Sequence, residues 1–203
     1  DDTLTIILKN QASTYDQALV VKSLIQMFQL TQDANDLVMA EQIMDFFVNK
    51  WNRSGFDMFY DVRTQDAETI PEFKIIHAGP ALWIGDAAMD LYEKTGNTVY
   101  FNLALEIAQW SMSLPHYESG IAMGDVDTDV PWRRIFSLEH NIDFISVIKK
   151  FLKYKDKNML LSIDTNFLET ELSNLIGFIK KRYNPESGLL NRGVGLDDRG
   201  IAH

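Results

Sequence analysis

Three Ser-Gly-apolar triplets, Ser54-Gly55-Phe56, Ser119-Gly120-Ile121 and Ser187-Gly188-Leu189, recur along the chain with their glycines 65 and 68 residues apart. Even spacing of this kind marks an internal repeat. A repeat constrains a fold tightly, because each unit buries its apolar face only by packing on its neighbours. Before each triplet lie two stretches of helical periodicity joined by a tight polar turn. The unit reads as helix, turn, helix, long loop, and three units predict three antiparallel helical hairpins, over about 14–51, 80–114 and 138–182.

Local signals set the boundaries. Thr14 or Ser13 can cap a helix through about Leu30, TQDAND is the turn, and a second helix runs to about Trp51. Gly79-Pro80 opens the next helix, Thr95-Gly96-Asn97 closes it after Lys94, and its partner runs from about Thr98 to Leu114, stopped by Pro115. Ser137 can cap a helix through about Tyr154, with Lys155-Asp156-Lys157 as the turn before a longer helix that reaches about Arg182.

The two helices of a hairpin differ in character. ALVVKSLIQMF (18–28) and PALWIGDAAM (80–89) are apolar nearly all round, whereas the second helices carry polar faces such as Glu41, Gln42, Asp45 and Asn49. The first helix of each pair is therefore expected inside and the second outside. Alternating inner and outer helices on a unit of about 65 residues suit an all-α fold of hairpins arranged as part of an (α/α) toroid.

Composition excludes several functions. At 203 residues, 46% hydrophobic and 11% aromatic, the chain can form one domain with a substantial core. A net charge of -10 repels phosphate backbones, so no nucleic-acid partner is expected. No window approaches eighteen apolar residues, so no membrane span is expected. With neither an initiator Met nor a leader before Asp1-Asp2, the chain is expected to be a processed or trimmed piece of something longer.

Zero cysteines rule out disulfides, thiolate nucleophiles and zinc-thiolate sites. The four histidines show neither HxxxH nor HExxH spacing. GDVDTDV (124–130) offers alternating acids, yet an EF-hand loop there would have Val130 where glycine is required and Phe136 where glutamate is required. Phosphate- and dinucleotide-binding glycine loops are missing. Neither a metal nor a cofactor is expected.

If hairpins stack side by side, every tight turn lies at one end of the molecule. Every long loop and every inner-helix N-terminus lies at the other. Long connections without regular structure are uncommon unless functional, so that end is the expected site. It would gather Tyr15, Asp16 and Gln17 from the first inner helix, His77, Gly79, Pro80 and Trp83 from the second, and Glu139, His140, Asn141 and Asp143 from the third. Tyr60, Asp61 and Trp132 come from the loops. Aromatic faces beside carboxylates and amides are what a sugar-binding cleft needs, so a carbohydrate ligand is expected. A plainer role exists for each: first-turn acids gain ~0.3 to 1 kcal/mol from the helix dipole, and loop aromatics can plug the top of a core.

TYDQA opening the first inner helix, the GPALW run and the LEHNID run together resemble the pattern of six-hairpin glycosidase-like proteins, and the likeness covers most of the chain. The resemblance implies an (α/α)6 toroid acting on, or binding, a poly- or oligosaccharide in the funnel formed by inner-helix N-termini and their loops. A hydrolase of this kind uses two carboxylates. Glu139 is the expected general acid, and Asp16, Asp61 and Asp143 are candidates for base or sugar-hydroxyl ligand. Tyr15, Gln17, Tyr60, Trp83, Trp132, His140 and Asn141 are expected to contact substrate. A lyase or sugar epimerase on the same scaffold would use His140, His77 or Tyr60 to handle a proton, and a non-catalytic helical-repeat module would only bind. A full toroid needs twelve helices and this sequence supplies about six, ending at DDRGIAH where a seventh would start. The N-terminal half of a longer protein, or a chain completed by a second one, is expected.

Overall fold

The computed structural model describes residues 10–69, 76–125, 131–154 and 164–203. Among them six helices pack as three hairpins. Helix α1 spans Thr14–Thr31 and α2 spans Ala34–Lys50. Their link is tight because Gln32 takes the left-handed conformation (φ 59°) and returns its N–H to the Phe28 carbonyl, after which Asp33 caps α2 by accepting from the Asn35 N–H at 2.9 Å. Helices α3 (Ala78–Thr95) and α4 (Thr98–Ser113) repeat the device with Gly96 (φ 70°) and Asn97, whose Oδ1 accepts from the Val99 N–H at 3.1 Å.

Helices α5 (Leu138–Leu152) and α6 (Thr165–Lys181) form the third pair, with Asp164 capping α6. The expected turn at Lys155-Asp156-Lys157 falls outside the described residues, as do Asp127 and Asp129 of the acidic loop.

The layering follows from the apolar patterns. Helix α1 packs on α3 and α3 on α5, while α2, α4 and α6 each back their own partner. One apolar core runs through both layers, from Val21 and Phe47 through Leu82, Ile84 and Ile107 to Phe144, Val147 and Leu175.

The described parts of the long loops carry regular pairing. Eight short strands pair as four antiparallel ribbons among the described residues. Strands β1 (Gln11–Ser13) and β2 (Phe59–Asp61) pair, as do β3 (His116–Tyr117) with β4 (Gly120–Ile121), β5 (Ile135–Ser137) with β8 (Gly193–Gly195), and β6 (Tyr183–Asn184) with β7 (Leu189–Leu190). Strands of two or three residues are too short to show alternation, so the sequence predicts irregular loops there.

These ribbons bring the loops to the inner-helix heads. The β1–β2 and β5–β8 pairs each join the segment entering an inner helix to a strand of the loop that follows its hairpin. Between them, the Ala78 N–H donates to the Met123 carbonyl (2.6 Å) and the Met123 N–H to the Ile135 carbonyl (2.7 Å), and Ile76 bridges to Asp57. Gly55, packed on Ile76, and Gly120, in the ribbon beside Met123, share this end of the molecule.

Candidate active site

Three inner-helix heads meet where their first turns cross. Tyr15 Oη of α1 lies 3.4 Å from His140 Nε2 of α5, and both sit over Gly79 of α3. A Cβ at Gly79 would overlap the Tyr15 hydroxyl and the His140 ring, so absence of a side chain is what lets the three heads converge. His77, the residue before α3, stacks edge-on against Trp132 (centroids 4.2 Å) and lies 5.7 Å from the His140 ring.

The site is rich in buried polar atoms without protein partners. His77 Nε2, His140 Nδ1 and Trp132 Nε1 are buried and make no hydrogen bond, and the buried Trp83 Nε1 and Asp143 Oδ2 face each other without a well-formed one. Orphaned buried groups are rare in folded proteins, and a cluster of them at the inner-helix heads suits a ligand or water. Burial pushes the His77 imidazole down to about 4. Burial and then the charge of His77 push His140 down to about 3, so both rings are neutral near pH 7. Burial, with the nearby Glu139 and Asp143 charges, raises the Tyr15 phenol and keeps it protonated.

Asp143 lies one helical turn below Glu139. Burial first, then the charges of Glu139 and Asp86, raise its carboxyl to about 7, against the opposing pull of the Trp83 indole. A cavity of about 640 Å³ opens beside it, walled by β5, the first turns of α5 and β8. A second cavity of about 230 Å³ continues between α3 and α5, and Ile142 and Asp143 belong to both.

Several sequence-predicted site residues take other roles. Asn141 is fully buried: its Oδ1 accepts from the Ile121 N–H at 2.8 Å, and its Nδ2 donates to the Ile121 carbonyl (3.1 Å) and the Ser137 carbonyl (2.7 Å). It clamps the second Ser-Gly-apolar loop onto α5, and it has no free group for a substrate.

Tyr60 is 4% exposed, packs edge-on against Phe46 and Phe47, and accepts from the Asp57 N–H at 3.2 Å. It plugs the core and offers no face for stacking. Asp61 is locked by side-chain hydrogen bonds to Arg63, which hold it well below the usual carboxylate range and leave it a poor base. Gln17, Tyr60 and Asp61 line a separate cavity of about 180 Å³. Asp16 is an exposed first-turn residue whose N–H is capped by Ser13 Oγ at 3.4 Å.

The structure therefore gathers Tyr15, His77, Trp83, Trp132, Glu139, His140 and Asp143, and sets the first-loop residues apart. The third loop adds Arg192 and Gly193, which the sequence does not single out. Gly193-Val194-Gly195 is visible as a glycine-rich fragment. Its value lies in close approach: a Cβ on Gly193 would overlap the Phe136 carbonyl oxygen, so glycine lets β8 reach the head of α5.

The arrangement of inner and outer hairpins, loops at one end, matches solved structures along nearly the whole chain. The chain has the fold of part of an (α/α) toroid. It superposes on a sugar epimerase from a ruminal bacterium with a TM-score of 0.72 and 13% identity, over 96% of this chain and 50% of that one. An α-1,6-mannanase from Salegentibacter sp. HEL1_6 gives 0.68 and 15%, over 95% and 48%. A D-mannose isomerase gives 0.66 and 15%, over 91% and 49%. The toroid fragment thus spans about half the length of the structures it matches. No family model and no curated sequence matches the chain.

Proposed function

We propose that this chain forms one wall of a carbohydrate-active site that hydrolyses a glycosidic bond, with Asp143 as the proton donor. The observation that carries the reading is a half-buried carboxyl raised to about 7, in the wall shared by two neighbouring cavities. The fold supports the substrate class: similar structures include an α-1,6-mannanase, of which an inactive variant was solved with α-1,6-mannotriose.

We give the acid role to Asp143 in preference to Glu139. Glycosidase carboxylates flank the scissile bond, whereas Glu139 and Asp143 stand one turn apart on one helix and reach the substrate from the same side. Asp143 gives its proton to the glycosidic oxygen as the bond from the anomeric carbon breaks. A carboxylate on the facing wall of the completed ring takes a proton from the water that attacks that carbon. Glu139, exposed at the rim, keeps the Asp143 proton in place through its negative charge.

Two variants of the full-length protein test this with a reducing-sugar assay on a polysaccharide panel that includes α-1,6-mannan. Asp143→Asn should lower turnover by at least ~100-fold. Glu139→Gln should retain most of it while moving the alkaline limb of the pH profile down, because losing the neighbouring charge lowers the Asp143 pKa. Full activity in Asp143→Asn sinks the assignment.

A second reading rests on the two neutral, unpartnered imidazoles at His77 and His140, which suit proton transfer at a carbon next to a sugar carbonyl. Solved sugar epimerase and D-mannose isomerase structures share the fold. Deuterium uptake into a free sugar in D₂O without bond hydrolysis would favour it.

A further inference from the structure

The smaller cavity lies deeper in the funnel than the carboxyl that serves it. From Ala78 to Leu91 of α3 only Trp83 and Asp90 retain partial exposure, so Trp83, Asp86 and Asp90 mark the side of α3 left open by α1, α4 and α5. On α5 the matching positions are Asp143, Ser146 and Lys150. Ser146 Oγ donates to Asp86 Oδ1 at 2.7 Å and Lys150 Nζ donates to the Asp86 carbonyl at 2.8 Å, so the two stripes run in step.

Depth follows from the helical rise. Trp83 and Asp143 each lie five residues beyond the first residue of their helix, or ~7 Å at about 1.5 Å per residue. Asp86, Ser146 and Lys22 lie eight residues in, ~12 Å, and Asp90 and Lys150 twelve residues in, ~18 Å.

The two lower layers close on one another. Lys22 of α1 pairs with Asp86 and, at 2.7 Å, with Asp90, and Lys150 of α5 pairs with the same two carboxylates. This quartet of two cations and two anions ties all three inner helices. Breaking it would strand half-buried charges, so it is a floor that a neutral sugar chain does not displace. Above the floor the cavity of about 230 Å³ is bounded by Leu82, Trp83 and Ile142, with the Trp83 indole N–H and the Asp143 carboxyl among its polar groups. That volume is roughly eight waters at about 30 Å³ each, room for one pyranose ring and too little for two.

From this juxtaposition, and resting on the hydrolase reading, we infer that the cleft below Asp143 is a blind subsite for one terminal sugar unit and that the protein releases monosaccharides from a chain end. The apolar indole of Trp83 meets one ring face, its N–H and the Asp143 carboxyl meet hydroxyls or the glycosidic oxygen, and the charged floor stops the chain after one unit. The remainder of the oligosaccharide leaves through the larger cavity at the rim. Hydrolysis at Asp143 then splits the bond between the buried unit and the next.

The experiment uses the full-length protein and a panel of end-labelled oligosaccharides of four to six units, α-1,6-manno, α-1,4-gluco and β-1,4-gluco series among them, with products resolved by chromatography over time. For whichever series is turned over, the first product should be the monosaccharide, with the labelled remainder shortened by one unit at a time. Ile142→Trp, a change at a 45% exposed position that narrows the cleft without touching the core, should cut kcat/KM at least tenfold or shift the products to longer fragments. Circular dichroism would confirm that this variant folds.

Mixed internal fragments from the native protein, or an Ile142→Trp variant with the native rate and product pattern, overturn the blind subsite while leaving the hydrolase reading intact. Absence of turnover across the whole panel overturns both.

Discussion

Helices α1 and α3 are written in nearly the same apolar style and end in different surroundings. In α3 every residue from Ala78 to Met89 is buried except Trp83, because α1 and α5 flank it and α4 backs it. In α1 only Thr14, Ala18, Val21 and Ile25 are buried. Leu19, Val20, Met27 and Leu30 are 46%, 41%, 48% and 82% exposed, on a helix that has α3 on one flank and α2 behind it. An apolar surface all round a helix encodes two flanking neighbours, and α1 finds one of them among the described residues. Phe167 and Ile176 on α6 leave the opposite edge apolar as well.

The comparison breaks most visibly under core deletion. Leu82→Ala on α3 should cost ~2 to 5 kcal/mol in urea unfolding, the range for a fully buried leucine, whereas Met27→Ala on α1 should stay within ~0.5 kcal/mol. Equal costs would mean that α1 is covered in solution by something this chain does not supply.

A smaller effect is expected where the two helices touch head to head. Gly79→Ala on α3 should destabilise by ~1 to 3 kcal/mol, since the new methyl meets Tyr15 and His140. Adding Tyr15→Ala should recover part of that loss in a double-mutant cycle, because it vacates the same space. Strict additivity would show that the heads of α1 and α3 do not meet there.

The smallest effect is a pH slope. His77 and His140 have folded-state values below their ordinary 6.5, at about 4 and about 3, so the unfolded chain binds protons first and stability falls as pH drops below about 6.5. Asp143 has the opposite sign. Its folded value is about 7 against an ordinary 3.8, so its contribution is present at low pH and lost as pH rises from about 4 to about 7. Asp143→Asn removes that compensation, and stability should then fall on acidification more steeply than in the native chain, by ~1 kcal/mol per pH unit between pH 4 and 6.5. Parallel slopes in thermal melts would place Asp143 in a more solvated setting.

Much of this was legible beforehand. Spacing of the Ser-Gly-apolar triplets, Gly96, Asn97 and Asp33 at helix ends, and apolar or polar-faced helices were enough to order the hairpins and to put the loops at one end. LEHNID was visible as a cluster, but the division of labour inside it was not. Asn141 and Asp143 are both short polar side chains in the first turns of α5, and only the neighbours decide that one meets the Ile121 backbone while the other meets a cavity. Tyr60 read as a sugar platform because a loop aromatic beside acids looks the same whether it faces solvent or Phe47.

The sequence by itself determined the periodicities, caps and turns, because these depend on contacts within a few residues along the chain. Helix count, pairing and the end that carries the site follow from them. The tertiary structure alone decided which polar groups lose water and which find partners. The neutral His77 and His140 rings and the Lys22–Asp86–Asp90–Lys150 floor arise from groups brought together across 60 residues or more, and the elevated Asp143 carboxyl from burial that no local pattern records.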